Sequence, residues 1–319
     1  DVDILCKIFK GLDESDLICA IPILRENECQ DDFVTINETT GKWIDAFSAY
    51  EQQLMTESHQ DMSVHENLRG DKSSNAYSGM LRCLLRMGHT QSTLNSAEGL
   101  WFRNKTLFSD LSQYAVEASW RLGKWDDLKT NLDRAQFDQD KTADLHSSSL
   151  DHDRRWEVHV GHILSSLNDR KIHDLREHVV QARRELMGPL TAASMESYTR
   201  AYPLLVKLHV LRDLESSSII ATDDPSKPSQ ALLKTTEDWS RRINLTQPAL
   251  SVREPILALH RSVYSIASMS TQVASTWLKT AKLCRNSHYR EAAWMAVLEA
   301  SNIILMLLTS NEANNFWKI

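Results

Sequence analysis

Glycine is scarce in this chain, with nine in 319 residues, under half the roughly 7% of an average protein. That counts against folds rich in tight turns and against glycine-lined cofactor loops, and it favours helices. Cysteine is sparse as well. Cys6, Cys19, Cys29, Cys83 and Cys284 form no CxxC pair, and the odd count leaves at least one thiol unpaired within the chain, the pattern of a reducing compartment. Positive charge is in deficit: 36 Lys and Arg against 43 Asp and Glu give a formal charge of -7. Such a chain has no global attraction to nucleic acid or anionic lipid, so neither partner is expected. The longest strongly apolar run, residues 303–308, is far below the roughly 20 residues that span a bilayer, and no secretory leader opens the chain. The usual catalytic signatures are missing too, with no GxGxxG, GxSxG, HExxH, HRD or DFG. Two Gly-Lys pairs occur, but Ile36 and Ala118 stand where a phosphate-binding loop needs glycine, and Trp43 and Trp125 replace its hydroxyl residue.

What is present is helical periodicity. Apolar residues make up 42% of the chain and charged residues 25%, ordinary values for a folded protein. Around the second GKW, Leu111, Tyr114, Ala115, Ala118 and Leu122 recur at spacings of three and four, and Trp125, Leu128, Leu132 and Ala135 continue after the glycine. Gly123 can adopt the left-handed conformation that ends one helix and lets the chain reverse. The same frame surrounds Gly41 with Trp43, and weaker versions surround Gly88 and the Ser287/Tyr289 pair. The turn positions 41, 88 and 123 bracket the period of tetratricopeptide-like repeats. The expected fold class is therefore all-α, with helical hairpin repeats forming an α-solenoid.

Further helices are expected over residues 153–167, 171–187 and 191–214, the last kinked at Pro203. Ser251 and Glu254 have capping-box spacing. Polar stretches 56–75, 136–150 and 215–236 read as loops. The chain divides on this reading into a first repeat block (1–135), middle helices (151–215), a linker-like loop (216–236), further repeats (237–300) and an atypical end (301–319).

Candidates for chemistry are few. His152, His159 and His162 fall on one helical face and form a weak zinc-site candidate. His209, on a strongly apolar helix, is expected to be a hydrogen-bonded packing residue. The tryptophans at 43, 120, 125, 156, 239, 277 and 294 are expected in the inter-helix core rather than in a binding groove. Arg183-Arg184 and Arg241-Arg242 read as solvated faces. Five Ser/Thr-Gln pairs begin at Thr90, Ser112, Ser229, Thr246 and Thr271, of which only Ser229 lies in an obvious loop.

Four stretches carry a family resemblance: YAVEASWRLGKWDDLKTNL (114–132), PLTAASMESYTRAYPLLVKLHVLRDLE (189–215), REPILALHRSV (253–263) and WLKTAKLCRNSHYREAAWMAVLEA (277–300). With NAYSGMLRCLLRMGHTQSTL (75–94) they resemble, in order, the FAT region of phosphatidylinositol 3-kinase-related serine/threonine protein kinases, in particular those of the ATR type. After Ala300 the likeness fades. The resemblance implies a FAT-type α-solenoid over residues 1–319 that braces a kinase domain of the same chain in the nuclear response to DNA damage and replication stress. It implies an ATR-interacting protein-like partner, a dimeric assembly, and ATP and Mg only in the kinase domain. No catalytic or cofactor-binding residue of that family falls within these 319 residues. The competing reading is a stand-alone tetratricopeptide-type adaptor for peptide partners.

Overall fold

The computed structural model describes the backbone of residues 4–5, 8–9, 15–24, 30–59, 66–103, 105–142, 149–222 and 229–316. Among these there is no β-strand, and the fold class is all-α. The helices are α1 (Ser15–Leu24), α2 (Gln30–Thr39), α3 (Trp43–His59), α4 (Glu66–Arg86), α5 (Thr90–Arg103), α6 (Lys105–Leu122) and α7 (Trp125–Thr142). They continue with α8 (Ser149–Asn168), α9 (Ile172–Glu196), α10 (Tyr198–Thr222), α11 (Gln230–Leu245), α12 (Leu250–Ile266), α13 (Ser270–Asn286) and α14 (Arg290–Phe316). The chain falls into two compact units, one of residues 1–122 and 130–154 and the other of residues 123–129 and 155–319.

One turn chemistry recurs along the chain. Gly41, Gly88 and Gly123 have φ of 74°, 86° and 69°, and Arg170, Ser268 and His288 adopt the same left-handed conformation without being glycine. At each of five of these turns two backbone bonds close the preceding helix. Lys42 N–H donates to Asn37 O at 2.8 Å, His89 to Leu84 at 2.9 Å, Lys171 to Ser166 at 2.8 Å, Met269 to Tyr264 at 2.9 Å and Tyr289 to Cys284 at 2.9 Å. Each spans five residues and is joined by a shorter bond from the left-handed residue itself, as Gly88 N–H to Leu85 O at 3.0 Å. These are Schellman caps, which satisfy carbonyls that the helix end leaves orphaned. At the 287–289 turn the left-handed residue is His288 rather than Ser287. Tyr289 therefore occupies the position of Lys42 and Lys124, not that of Trp43 and Trp125, and the expected register is off by one.

In the first unit, α4 serves two cores. Its Ala76 and Cys83 join Val34 of α2 and Ala46, Ala49 and Tyr50 of α3, with half-buried Trp43, Phe47 and Met80 packed alongside. Its Leu81 and Leu85 join Leu94, Ala97 and Leu100 of α5 and Leu111, Tyr114, Ala115 and Ala118 of α6. Gly79 is small for a reason: a Cβ there would lie 2.0 Å from a carbon of the Tyr50 ring. The helix accepts a poor helix former so that an aromatic ring can lie against its backbone. Also within this unit, a buried relay joins α7 to α6, in which Asn131 Nδ2–H donates to Ser119 Oγ at 3.1 Å and Ser119 donates to Ala115 O at 2.7 Å.

Along the chain, several sequence expectations are displaced. Much of the stretches 56–75, 136–150 and 215–236, expected as loops, is helical: α3 runs to His59, α4 starts at Glu66, α7 runs to Thr142, α8 starts at Ser149, α10 runs to Thr222 and α11 starts at Gln230, and residues 60–65, 143–148 and 223–228 lie outside the described residues. Runs of polar residues read as loop because a solvated helix face has the same composition. Helix α9 continues through Pro189 to Glu196, and the break comes at extended Ser197 rather than at Pro203. The capping box does not form, since Ala249 is the N-cap of α12 and Glu254 instead faces Arg261 at 3.5 Å. Helix α14 runs through Ala300, after which the likeness was expected to fade, and on to Phe316.

Candidate functional site: a buried polar lock

Three helices of the second unit each send in two side chains one turn apart: Asp213 and Ser216 from α10, Trp239 and Arg242 from α11, His260 and Tyr264 from α12. Spacings of three and four put each pair on one face of its helix. Asp213 is 3% exposed, Trp239 0% and His260 5%, so a carboxylate has been taken out of water, which is costly unless it is paired and hydrogen-bonded. Both its oxygens are satisfied. Arg242 Nη2 donates to Oδ1, and His260 Nε2 lies 2.8 Å from Oδ2. A carboxylate only accepts, so the proton sits on Nε2.

The imidazole is also fixed by aromatic packing. The Trp239 ring stacks on it at a centroid distance of 4.3 Å and an interplanar angle of 20°, and Tyr264 tilts against Trp239 at 5.5 Å. Trp239 Nε1–H donates to Ser216 Oγ at 2.9 Å, returning the network to α10. Burial pushes the His260 pKa down, and the Asp213 carboxylate only partly offsets it. Arg242 supplies the positive charge that balances the buried Asp213 carboxylate. An Asp–His pair can act as a general base, but an imidazole this buried is out of reach of substrate. The arrangement does mechanical work, binding α10, α11 and α12 into one body.

The first unit has a more open counterpart. Arg82 of α4 donates to Glu38 of α2 from Nε at 3.1 Å and from Nη2 at 2.7 Å, and Nη2 reaches the Tyr50 hydroxyl of α3 at 3.4 Å. Ser78 and Tyr114 share a hydrogen bond of 2.8 Å. The two charged side chains of this network are 34% and 19% exposed.

Of the histidines singled out in the sequence, His159 and His162 turn to different partners. His159 Nε2 faces Glu185 Oε2 at 3.1 Å, whereas His162 stacks on His178 with centroids 5.0 Å apart. Burial, reinforced by the neighbouring His178 and His159, pushes the His162 pKa down to about 4. The side chain of His152 lies outside the described residues, and among the described residues no group of three His, Cys, Asp or Glu side chains is placed to hold a metal.

His209 is exposed rather than packed. Trp120 and Trp239 are buried, Trp43, Trp125, Trp156 and Trp277 are half-buried, and Trp294 is exposed. Arg242 is no solvated residue, since it enters the lock, and Arg183 pairs with Glu215 at 3.3 Å. Ser229 caps α11, its hydroxyl accepting from Leu232 N–H at 3.1 Å. Sequence reasoning missed Asp213 and His260, which are 47 residues apart. The usable signal was a lone histidine between Leu259 and Arg261 in an otherwise apolar run.

Fold and site together define an all-helical protein in which a buried polar lock ties three helices of the second unit. The FAT domain family model matches residues 112–305, and the chain belongs to that family. It is 35% identical over 306 residues to the serine/threonine-protein kinase ATR of rice, a match covering 94% of this chain and 11% of that protein. The ATR kinase of Arabidopsis thaliana gives the same identity and coverage. The serine/threonine-protein kinase TOR of Arabidopsis thaliana is 25% identical over 256 residues, covering 78% of this chain and 10% of its own length. The chain thus spans about a tenth of the length of the curated relatives it matches.

Proposed function

We propose that these 319 residues are the helical scaffold of an ATR-like checkpoint kinase, in which tetratricopeptide-like hairpins stack as an α-solenoid and brace a kinase domain of the same longer protein. The observation that carries this reading is the lock on Asp213. It makes three helices a single body able to pass a displacement at one end to the other, as a bistable scaffold must. The higher identity to the ATR kinases of rice and Arabidopsis than to the TOR kinase of Arabidopsis supports a role in the nuclear DNA damage and replication stress response. On this reading the protein assembles with an ATR-interacting protein-like partner as a dimer, and ATP and Mg are bound by the kinase domain alone.

The test compares phosphorylation of a protein substrate by three samples: the longer protein, its Asp213→Ala form, and the 319-residue chain alone. Bracing predicts that Asp213→Ala lowers kcat while leaving the KM for ATP in place, and that the isolated chain transfers no phosphate. Transfer by the isolated chain would overturn the reading. So would a longer coding sequence without a kinase domain, the outcome that fits an adaptor.

A further inference from the structure

Helix α9 changes character at Met187. From Ile172 to Leu186 it is anchored by Leu175, Val179, Ala182 and Leu186, all buried, and Arg183 reaches across to Glu215 of α10 at 3.3 Å. From Met187 to Arg200 only Ala193 is buried. The helix nevertheless continues to Glu196, extended Ser197 turns the chain, and α10 starts back at Tyr198. The result is the tip of a helical hairpin, with Met195 and Tyr198, 85% and 70% exposed, at its end.

The base of the tip is weak in both helices. Gly188 is a poor helix former, and no close packing requires it, since a Cβ there would meet nothing within 4 Å. Pro189 lies inside α9 and Pro203 inside α10. Pro189 has no N–H to give to Glu185 O, and Pro203 has none for Thr199 O, so each helix lacks a backbone bond. The prolines lie eight and six residues from Ser197, about 12 and 9 Å along their helices, which puts the missing bonds at similar heights. Thr191 turns its hydroxyl back on Met187 O at 2.8 Å, a contact that often bends a helix.

A hydrogen bond ties the tip to the helices of the lock. Gln247 N–H donates to the Tyr202 hydroxyl at 2.8 Å. The turn that carries Gln247 is itself fixed: Thr246 Oγ1 donates to Ile243 O at 2.7 Å, and Arg253 Nη2 donates to Thr246 O. Tyr202 therefore meets a donor held in place by α11 and α12.

We propose that residues 187–203 form a pivoting arm, with its joint at Gly188, Pro189 and Pro203 and its latch in the hydrogen bond between Tyr202 and Gln247. When the latch opens, the arm bends at the joint and carries Met195 and Tyr198 away from the α11–α12 turn, while Arg183 and Glu215 keep the rest of α9 on α10. One solvent-exposed hydrogen bond has a small net free energy, so latched and released arms coexist. The device works within the second unit and needs no kinase domain.

Nitroxide labels on Met195→Cys and Leu245→Cys, both exposed positions, report the arm through the distance between them, with Cys6, Cys19 and Cys29 changed to serine and the buried Cys83 and Cys284 kept. Pulsed electron paramagnetic resonance of the 319-residue chain should show a short and a long distance. Tyr202→Phe removes the acceptor and should raise the long-to-short ratio about fivefold. Gly188→Ala with Pro189→Ala strengthens the helix and should lower that ratio about tenfold. A single distance that Tyr202→Phe leaves in place would overturn the proposal. So would a distribution that broadens without a second population, which is fraying, or a long population that survives Gly188→Ala with Pro189→Ala.

Discussion

The two units solve the same problem with different chemistry. In the first, helices meet through alanines, leucines and a ring laid on Gly79, and the charged pair Arg82–Glu38 keeps contact with water. In the second, a carboxylate is buried outright and three helices depend on it. A half-solvated pair adds modest stability and tolerates loss, because water replaces the missing partner. A buried lock leaves an uncompensated group behind when one member is removed. The first unit should therefore fail gradually and the second all at once.

The sharpest break of that contrast is Asp213→Ala, expected to destabilise the second unit by about 3–5 kcal/mol, against about 1 kcal/mol for Glu38→Ala in the first. Urea unfolding followed separately in each unit would measure both, and equal losses would erase the distinction. Trp239→Ala should cost a similar ~3–5 kcal/mol, because the ring is wholly buried and its removal leaves a cavity. Trp125→Ala should cost clearly less, since Trp125 is half-buried, and Asn131 and Ser119 join α7 to α6.

Next in size is Gly79→Ala. The added methyl overlaps the Tyr50 ring, and the overpacking should cost about 1–3 kcal/mol despite the better helix propensity of alanine. A stabilised variant would mean that Tyr50 swings aside freely.

Acid should separate the units. His162, His178 and His260 all lie in the second unit, and burial depresses each pKa. A histidine that is harder to protonate folded than unfolded takes up its proton more readily in the unfolded chain. Its stabilising contribution is present above the unfolded value near 6.5 and is lost as pH falls through it toward the folded value, which for His162 is about 4. Melts recorded between pH 7 and 4 should show the second unit losing stability first, and a parallel decline of both would count against this assignment.

The smallest effect concerns the turns. Ser268→Gly and His288→Gly relieve a left-handed side-chain residue and should stabilise by up to about 1 kcal/mol, whereas Gly88→Ala should destabilise by about as much. A thermal melt resolves both directions.

Local structure was legible where one residue type has one physical use. Glycine at 41, 88 and 123 could be read as a helix stop because few other residues take that conformation cheaply, and the apolar spacings around it located the cores. The turns at Arg170, Ser268 and His288 were not read as left-handed, since nothing in those side chains announces the conformation. The polar lock was harder still. Asp213 and His260 look like ordinary members of helices when read alone, and only tertiary packing brings them together. His209, four residues before Asp213 and on the same side of α10, illustrates the difficulty, because it is exposed while Asp213 is buried. The family resemblance reached further than the residue chemistry did, since order along the chain carries information that no single helix holds.

If the lock holds α10, α11 and α12 as one body, they must open together. Native-state amide hydrogen exchange of the Asp213→Ala chain against the unaltered one measures this directly. The lock predicts that slow-exchanging amides in all three helices lose protection together, with α2 to α6 unchanged. Loss confined to α10, or spread equally through both units, would contradict it.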